Sequence, residues 1–230
     1  MNKDIITKIE YLKYKKEYFR DYSSDERKFI KDNIFKDEEI MRVDLLAQIC
    51  SKIGAFELNE DRYRKFVNLI SEEFSLEGNI IEIGCGNFPI VSYHLSKIKT
   101  SKGTITAYDP RVITKPVENI KLVKEEFSYN TDLKPYNLVV GYFACDVTET
   151  IIKRACDEEK DFIVGLCGCT HFPRSYFLDG NIATKESWLD YLYNMAQKHK
   201  SSACDLSVKY LDDIDNYPII EGKHKIKSTF

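Results

Sequence analysis

Hydrophobic positions recur near the helical period through the first third of the chain. Residues 1 to about 75 contain three charge-rich stretches with this spacing and almost no Gly or Pro, a pattern that predicts amphipathic helices. Gly54 and Gly78 stand where helix ends are expected. We therefore predict that residues 1–75 form a helical extension that packs on the remainder of the chain.

After Gly78 the pattern changes to short runs rich in β-branched and aromatic residues, separated by helical or polar connectors. The first five runs alternate with their connectors, which predicts βαβ units and a parallel sheet with helices on both faces. The last two runs are separated by a polar turn and predict a terminal antiparallel pair. The runs occupy residues 79–84, 103–109, 119–123, 136–143, 161–167, 204–211 and 217–227.

Composition narrows the class of protein. The 230 residues suit one large domain or a core with an extension, and the net charge of -3 provides no general attraction for nucleic acid. No apolar run is long enough for a membrane span, and the charged start does not resemble a signal peptide. The seven cysteines are therefore expected to be reduced, and a cytoplasmic location is predicted.

The first predicted strand runs into a glycine turn, Glu82-Ile83-Gly84-Cys85-Gly86-Asn87-Phe88-Pro89. Glycines let the backbone turn sharply and approach a ligand closely, and a helix starting near Ile90 directs free N–H groups at it. The second strand ends at Asp109, where a carboxylate can accept both ribose hydroxyls of a nucleoside. Pro89 replaces the third glycine of the dinucleotide fingerprint, which argues against NAD or FAD. A tight turn with nothing bound remains the alternative.

These segments resemble the class I S-adenosylmethionine-dependent methyltransferases. IIEIGCGNFP is similar to the family's first motif, E/D-x-G-x-G, while AYDP resembles its second acidic position and YNLVVGYFACD its fourth-strand motif. The terminal strand pair resembles the family's reversed seventh strand. The resemblance implies a Rossmann-like, doubly wound, seven-stranded, mostly parallel sheet with one antiparallel strand, formed by residues 76–230.

The resemblance also implies S-adenosyl-L-methionine as cofactor and assigns residues to it. Glu82 would organise the glycine turn at the amino-acid end of the cofactor, Asp109 would hold the ribose, and Tyr142 and Phe143 would floor the reacting centre. The turn around Glu125 would bracket the adenine. The implied cofactor-binding residues are Glu82, Gly84, Cys85, Gly86, Asn87, Asp109, Pro110, Glu126, Phe127, Tyr142 and Phe143.

The strand-four segment lacks the Asn-Pro-Pro-Tyr or Asp-Pro-Pro-Tyr signature of many enzymes that methylate amino groups, which argues against base N6-type chemistry. Asp146 and His171 follow strands four and five and are the candidate catalytic residues that contact the acceptor. The thiols of Cys85, Cys145, Cys167 and Cys169 would meet at the same edge of the sheet as His171.

Thiolates with an imidazole can bind zinc, but Cys-x-Cys-x-His is not a common structural spacing, so we predict no metal. Small residues packing a strand end remain the alternative.

The N-terminal stretch carries a tyrosine stripe interleaved with Lys and Arg at Tyr11, Tyr14, Tyr18 and Tyr22. Such a stripe can stack bases and neutralise phosphates, but more often it is an amphipathic face docked on a core. We expect these helices to form a lid or wall over the acceptor.

The function predicted from the sequence is methyl transfer to a small-molecule or RNA acceptor. Two alternatives stay open. One is transfer of the aminocarboxypropyl group of the same cofactor, because the GNFP turn faintly resembles that of nicotianamine synthases. The other is a non-catalytic protein that binds the cofactor. The sequence predicts no membrane partner and does not indicate an oligomeric state.

Overall fold

The computed structural model describes residues 60–86, 89–112, 119–167, 184–211 and 217–224. From Arg62 onward, the described residues belong to one compact unit. The tyrosine stripe and the helices predicted before residue 60 lie outside the described residues.

Four helices and seven strands make up the described part of the chain, and their bounds follow the sequence pattern closely. The helices are α1 (Glu60–Glu73), α2 (Ile90–Ile98), α3 (Thr148–Asp157) and α4 (Lys185–His199). The strands are β1 (Ile80–Ile83), β2 (Ile105–Tyr108), β3 (Ile120–Val123), β4 (Leu138–Tyr142), β5 (Asp161–Gly165), β6 (Cys204–Tyr210) and β7 (Pro218–His224).

The strands form one sheet in the order β3-β2-β1-β4-β5-β7-β6. The first five strands are mutually parallel, and β7 runs antiparallel to both of its neighbours. The predicted fold class, a mostly parallel seven-stranded sheet with one reversed strand, is confirmed. Strand order reverses beside β1, which lies between β2 and β4, and ligands of open parallel sheets bind at such a switch point.

The side chains of β1 point alternately to the two faces of the sheet, and helices cover both faces. Ile81 and Ile83 belong to a buried cluster that includes residues of α3 and α4. Ile80 belongs to a second cluster on the other face, with residues of α1 and α2. Because successive side chains of a strand point to opposite faces, one short apolar run supplies both clusters.

Helix α1 falls within the predicted extension, and it contributes to the core of the sheet. Phe66, Val67, Ile70 and Phe74 are buried along one face, at the spacing of an amphipathic helix. No helix within the described ranges is long and apolar enough to cross a membrane.

Candidate cofactor pocket

The glycine turn after β1 adopts backbone angles that favour glycine. Gly84 has φ +74° and Gly86 has φ +68°, in the left-handed region that L side chains rarely adopt. A Cβ at Gly84 would lie 2.5 Å from the Cβ of Ala144, whereas a Cβ at Gly86 would meet no described atom within 4 Å. Internal packing therefore requires glycine at Gly84, while no described atom crowds the Cβ position of Gly86.

Glu82 anchors the start of helix α2 from inside the protein. Its Oε2 accepts a hydrogen bond of 2.8 Å from the backbone N–H of Ser92, in the first turn of the helix. The N-cap residue is Pro89, which has no side-chain acceptor, so the strand carboxylate performs the capping role. Glu82 is buried and does not line the cavity that opens beside the turn.

Burial raises the pKa of Glu82 to about 7, although hydrogen bonding to Ser92 opposes the rise and the charge of Asp109 adds to it. A carboxyl with this pKa is partly protonated at neutral pH. The start of α2 is therefore anchored by a buried acid whose charge changes within the physiological pH range.

Asp109 follows β2 and is almost completely buried, with its carboxylate directed at the glycine turn. Its Oδ2 accepts the backbone N–H of Gly86 at 2.9 Å. Its Oδ1 accepts the backbone N–H of Arg111 at 2.8 Å, and the Arg111 side chain binds both oxygens, through Nε at 3.1 Å and Nη2 at 3.2 Å.

Burial alone would raise the pKa of Asp109, but the hydrogen bonds from Arg111 and Gly86 hold it below its ordinary value. The carboxylate is therefore charged at neutral pH and can accept hydroxyl groups.

A cavity of about 330 Å³ opens at the carboxyl ends of these strands. This volume lies within the range of small-molecule sites. The cavity brings together predicted residues from three strand ends and the turn after β3. They are Gly84, Asp109, Pro110, Glu126, Phe127, Phe143 and Asp146.

Cys145, whose thiol was expected at this edge of the sheet, also lines the cavity. Four other lining residues were not predicted from the sequence: Tyr108, Arg111, Ala144 and Val147. Their closeness in sequence to the predicted residues could have identified them, because each lies within two residues of a predicted site residue.

The remaining predicted residues either do not line the cavity or lie outside the described residues. Cys85 and Gly86 belong to the turn but do not line the cavity. Asn87 and His171 lie outside the described residues, as does Cys169.

Tyr142 and Phe143 have different roles although they are neighbours. Phe143 lines the cavity from a left-handed backbone conformation with φ 56°, which is uncommon for an aromatic residue. Tyr142 is buried beneath it, with ring centroids 4.1 Å apart. Tyr142 also stacks on Phe66 of α1 at 4.3 Å. Tyr142 thus supports the floor of the cavity and Phe143 forms it.

The turn after β3 supplies the wall opposite Phe143. Phe127 is buried and meets Tyr108 edge to face, with ring centroids 6.2 Å apart. Arg154 of α3 holds the following turn by donating to the backbone carbonyls of Ser128, at 3.0 Å, and Thr131, at 2.7 Å, and also to that of Tyr129. The position of this wall therefore depends on a buried guanidinium.

The cysteines at the strand ends are close together. The Sγ atoms of Cys145 and Cys167 are 2.7 Å apart. Burial raises the pKa values of Cys85 and Cys145, which keeps these thiols protonated. Among the described residues, no group of three His, Cys, Asp or Glu side chains is placed to hold a metal ion.

No family model and no curated protein matches the chain. Similar folds do occur among solved structures of methyltransferases. The methyltransferase domain of bacterial CtHen1-CN shares 16% identity at a TM-score of 0.49, over 73% of this chain and 100% of that chain. The plantazolicin methyltransferase BpumL, solved with SAH, shares 13% identity at a TM-score of 0.46, over 96% of this chain and 100% of that chain.

A chain of the fibrillarin/Nop5p complex shares 14% identity at a TM-score of 0.45, over 71% of this chain and 82% of that chain. These identities and TM-scores are low, so the function has to be inferred from the geometry of the pocket.

Proposed function

We propose that this chain is an S-adenosyl-L-methionine-dependent methyltransferase of class I, with a small molecule or an RNA as acceptor. One observation carries the proposal. The buried carboxylate of Asp109 lies beside the glycine turn, bound to the N–H of Gly86, and opens into one cavity with Phe127, Phe143 and Asp146. This arrangement suits a nucleoside whose charged end lies at the turn.

The residues fit the parts of the cofactor. Asp109 is charged and buried, as a group that accepts two ribose hydroxyls must be. Phe127 provides an apolar wall for a planar base. No described atom crowds the Cβ position of Gly86, where the amino-acid end would lie. Bound S-adenosylmethionine would supply an activated methyl group, which is the difficult part of the chemistry.

The chain's own contribution is positioning and exclusion of water. Phe143 forms the floor of the cavity, and the stacked Tyr142 beneath it keeps the floor rigid. Asp146 lines the same cavity at the end of β4 and is placed to contact an acceptor or take its proton. His171 remains a proposed acceptor residue on its sequence position alone.

We also propose that the segment 1–75 forms the wall beside the acceptor. The described end of this segment supports the idea, because Tyr63 of α1 meets Tyr142 with ring centroids 5.2 Å apart. The guanidinium of Arg62 lies over the Phe143 ring, 5.7 Å from its centroid. Deleting residues 1–40 is expected to leave cofactor affinity within a few fold and to abolish transfer to the true acceptor. Full transfer activity in the truncated chain would contradict this role.

Titration calorimetry with S-adenosylhomocysteine tests the proposed function directly. We expect binding by the wild-type chain and no binding of NAD or FAD. Incubation with S-adenosylmethionine and acceptor pools then identifies the reaction. S-adenosylhomocysteine as product supports methyl transfer, and a thioadenosine product indicates aminocarboxypropyl transfer. Tight cofactor binding without turnover would indicate a binding protein, and binding of NAD alone would overturn the proposal. A cytoplasmic location is part of the same proposal.

A further inference from the structure

An ion pair occupies the carboxylate that the proposed function assigns to the ribose. Arg111 binds Asp109 through two side-chain nitrogens, at 3.1 and 3.2 Å, so both carboxylate oxygens are engaged. A ribose with two hydroxyls would need the same two oxygens. The guanidinium and the ribose therefore compete for one acceptor.

The two partners differ strongly in exposure, which determines which of them moves. The side chain of Asp109 is 2% exposed and that of Arg111 is 67% exposed. Asp109 is further held by the backbone N–H groups of Gly86 and Arg111, at 2.9 and 2.8 Å. Because both backbone bonds are independent of the guanidinium, the arginine side chain can swing into solvent without disturbing the carboxylate.

Arg111 is also one of the residues that line the pocket. Arg111 follows β2 and Asp146 follows β4, on opposite sides of β1, and both line the same cavity. Hydrogen bonding to Asp109 raises the pKa of Arg111, burial opposes the rise, and the charges of Asp109 and Asp146 add to it. In its paired position the guanidinium is therefore near a second carboxylate, that of Asp146.

We propose that Arg111 is a latch on this pocket: its guanidinium occupies Asp109 until a ribose carrying both hydroxyls displaces it. The latch selects against ligands that cannot replace both hydrogen bonds, since such ligands leave the buried carboxylate undersatisfied. The inference rests on the proposed function and adds a specificity-determining residue to it.

Adenosine and 2′-deoxyadenosine are suitable probes, because they differ only in one of the hydroxyls that would reach Asp109. Binding of each is measured by calorimetry for the wild type, R111A, R111K and the control K124A. Lys124 is exposed and does not line the pocket, so K124A reports the general effect of losing one positive charge. R111K keeps the charge but cannot form the two-pronged contact.

We expect R111A to bind adenosine about two- to fivefold more tightly than the wild type, the range of an exposed ion pair that no longer has to be broken. Because the latch selects against a ligand that cannot replace both hydrogen bonds, the gain in R111A should be larger for 2′-deoxyadenosine than for adenosine. The gain should be intermediate in R111K and absent in K124A.

If the wild type and R111A bind adenosine with equal affinity, and both also bind S-adenosylhomocysteine in a separate titration, the latch alone is overturned. An equal gain in K124A would also overturn it. The wild type could instead bind adenosine 2′-monophosphate more tightly than adenosine, with no such preference in R111A. That result would overturn the latch and make Arg111 a phosphate-binding residue. Failure of every variant to bind adenosine or S-adenosylhomocysteine would overturn the proposed function and the latch together.

Discussion

Replacing the buried Glu82 by glutamine should change how the stability of the protein depends on pH. The pKa of Glu82 is raised from 4.5 to about 7, chiefly by burial. The native state therefore holds a proton that the unfolded chain releases between these pH values. Stability contributed by Glu82 falls as pH rises through this window, and it stays low above pH 7. A glutamine at this position carries no such proton, so the E82Q variant should lack this decline.

The size of the effect follows from the pKa difference. At about 1.4 kcal/mol for each pH unit by which a pKa moves, the difference between 4.5 and about 7 amounts to about 3 kcal/mol. Most of it, about 2–3 kcal/mol, should appear between about pH 5 and about pH 8. With a urea slope of about 2 kcal/mol per molar, the midpoint difference between E82Q and the wild type should change by about 1 M over that range.

Urea unfolding followed by circular dichroism at several pH values measures this change. The amide of the E82Q side chain can still accept the Ser92 N–H through its oxygen. Its NH₂ group needs hydrogen-bond acceptors of its own, and any that are missing lower stability by an amount that does not vary with pH. The slope of the stability difference against pH is therefore the readout. The matched control is E72Q, at an exposed position of α1, which reports the general effect of replacing a carboxylate by an amide. A stability difference between E82Q and the wild type that stays constant over this range would refute the argument from burial.

Three further predictions concern the pocket. Asp109→Ala should weaken S-adenosylhomocysteine binding by about 1.5–3 kcal/mol in a protein that still unfolds cooperatively, and an unchanged dissociation constant would remove this residue from the site. Gly84→Ala should lower the free energy of unfolding by about 2–4 kcal/mol, because its Cβ meets Ala144 at 2.5 Å. Gly86→Ala should lower the free energy of unfolding by only about 1–2 kcal/mol, yet calorimetry should show weaker binding of S-adenosylhomocysteine. Equal stabilities of the two alanine variants would contradict the assigned packing. Arg154→Met should destabilise the protein by about 2–3 kcal/mol in urea unfolding, because the carbonyls of the turn lose their hydrogen-bond donor. The same variant should bind S-adenosylhomocysteine more weakly, and an unaltered affinity would show that the turn does not position the pocket wall.

The order and type of the described elements could be predicted from the sequence because their signals are local. The run 79–84 alternates apolar side chains between two faces and ends in glycines, and β1 with its turn follows from that pattern. Helix α4 begins at Lys185, where Thr184 and Ser187 form a capping box, a start signal that is local in the sequence. The carboxyl ends of parallel strands meet at one edge, so the sequence positions of Asp109 and Asp146 were enough to place both at the pocket.

Contacts between distant segments were decided only by the tertiary structure. Tyr142 and Phe143 are equivalent in the sequence pattern, but the left-handed backbone at Phe143 turns one ring into the cavity and leaves the other stacked on Phe66 in the core. The raised pKa of Glu82 depends on complete burial beneath α1 and α2, which no local pattern encodes. The pairing of Arg111 with Asp109 likewise required the carboxylate to be buried and the guanidinium exposed. Short-range periodicity determines which elements form, whereas burial and charge pairing depend on which elements come to lie together.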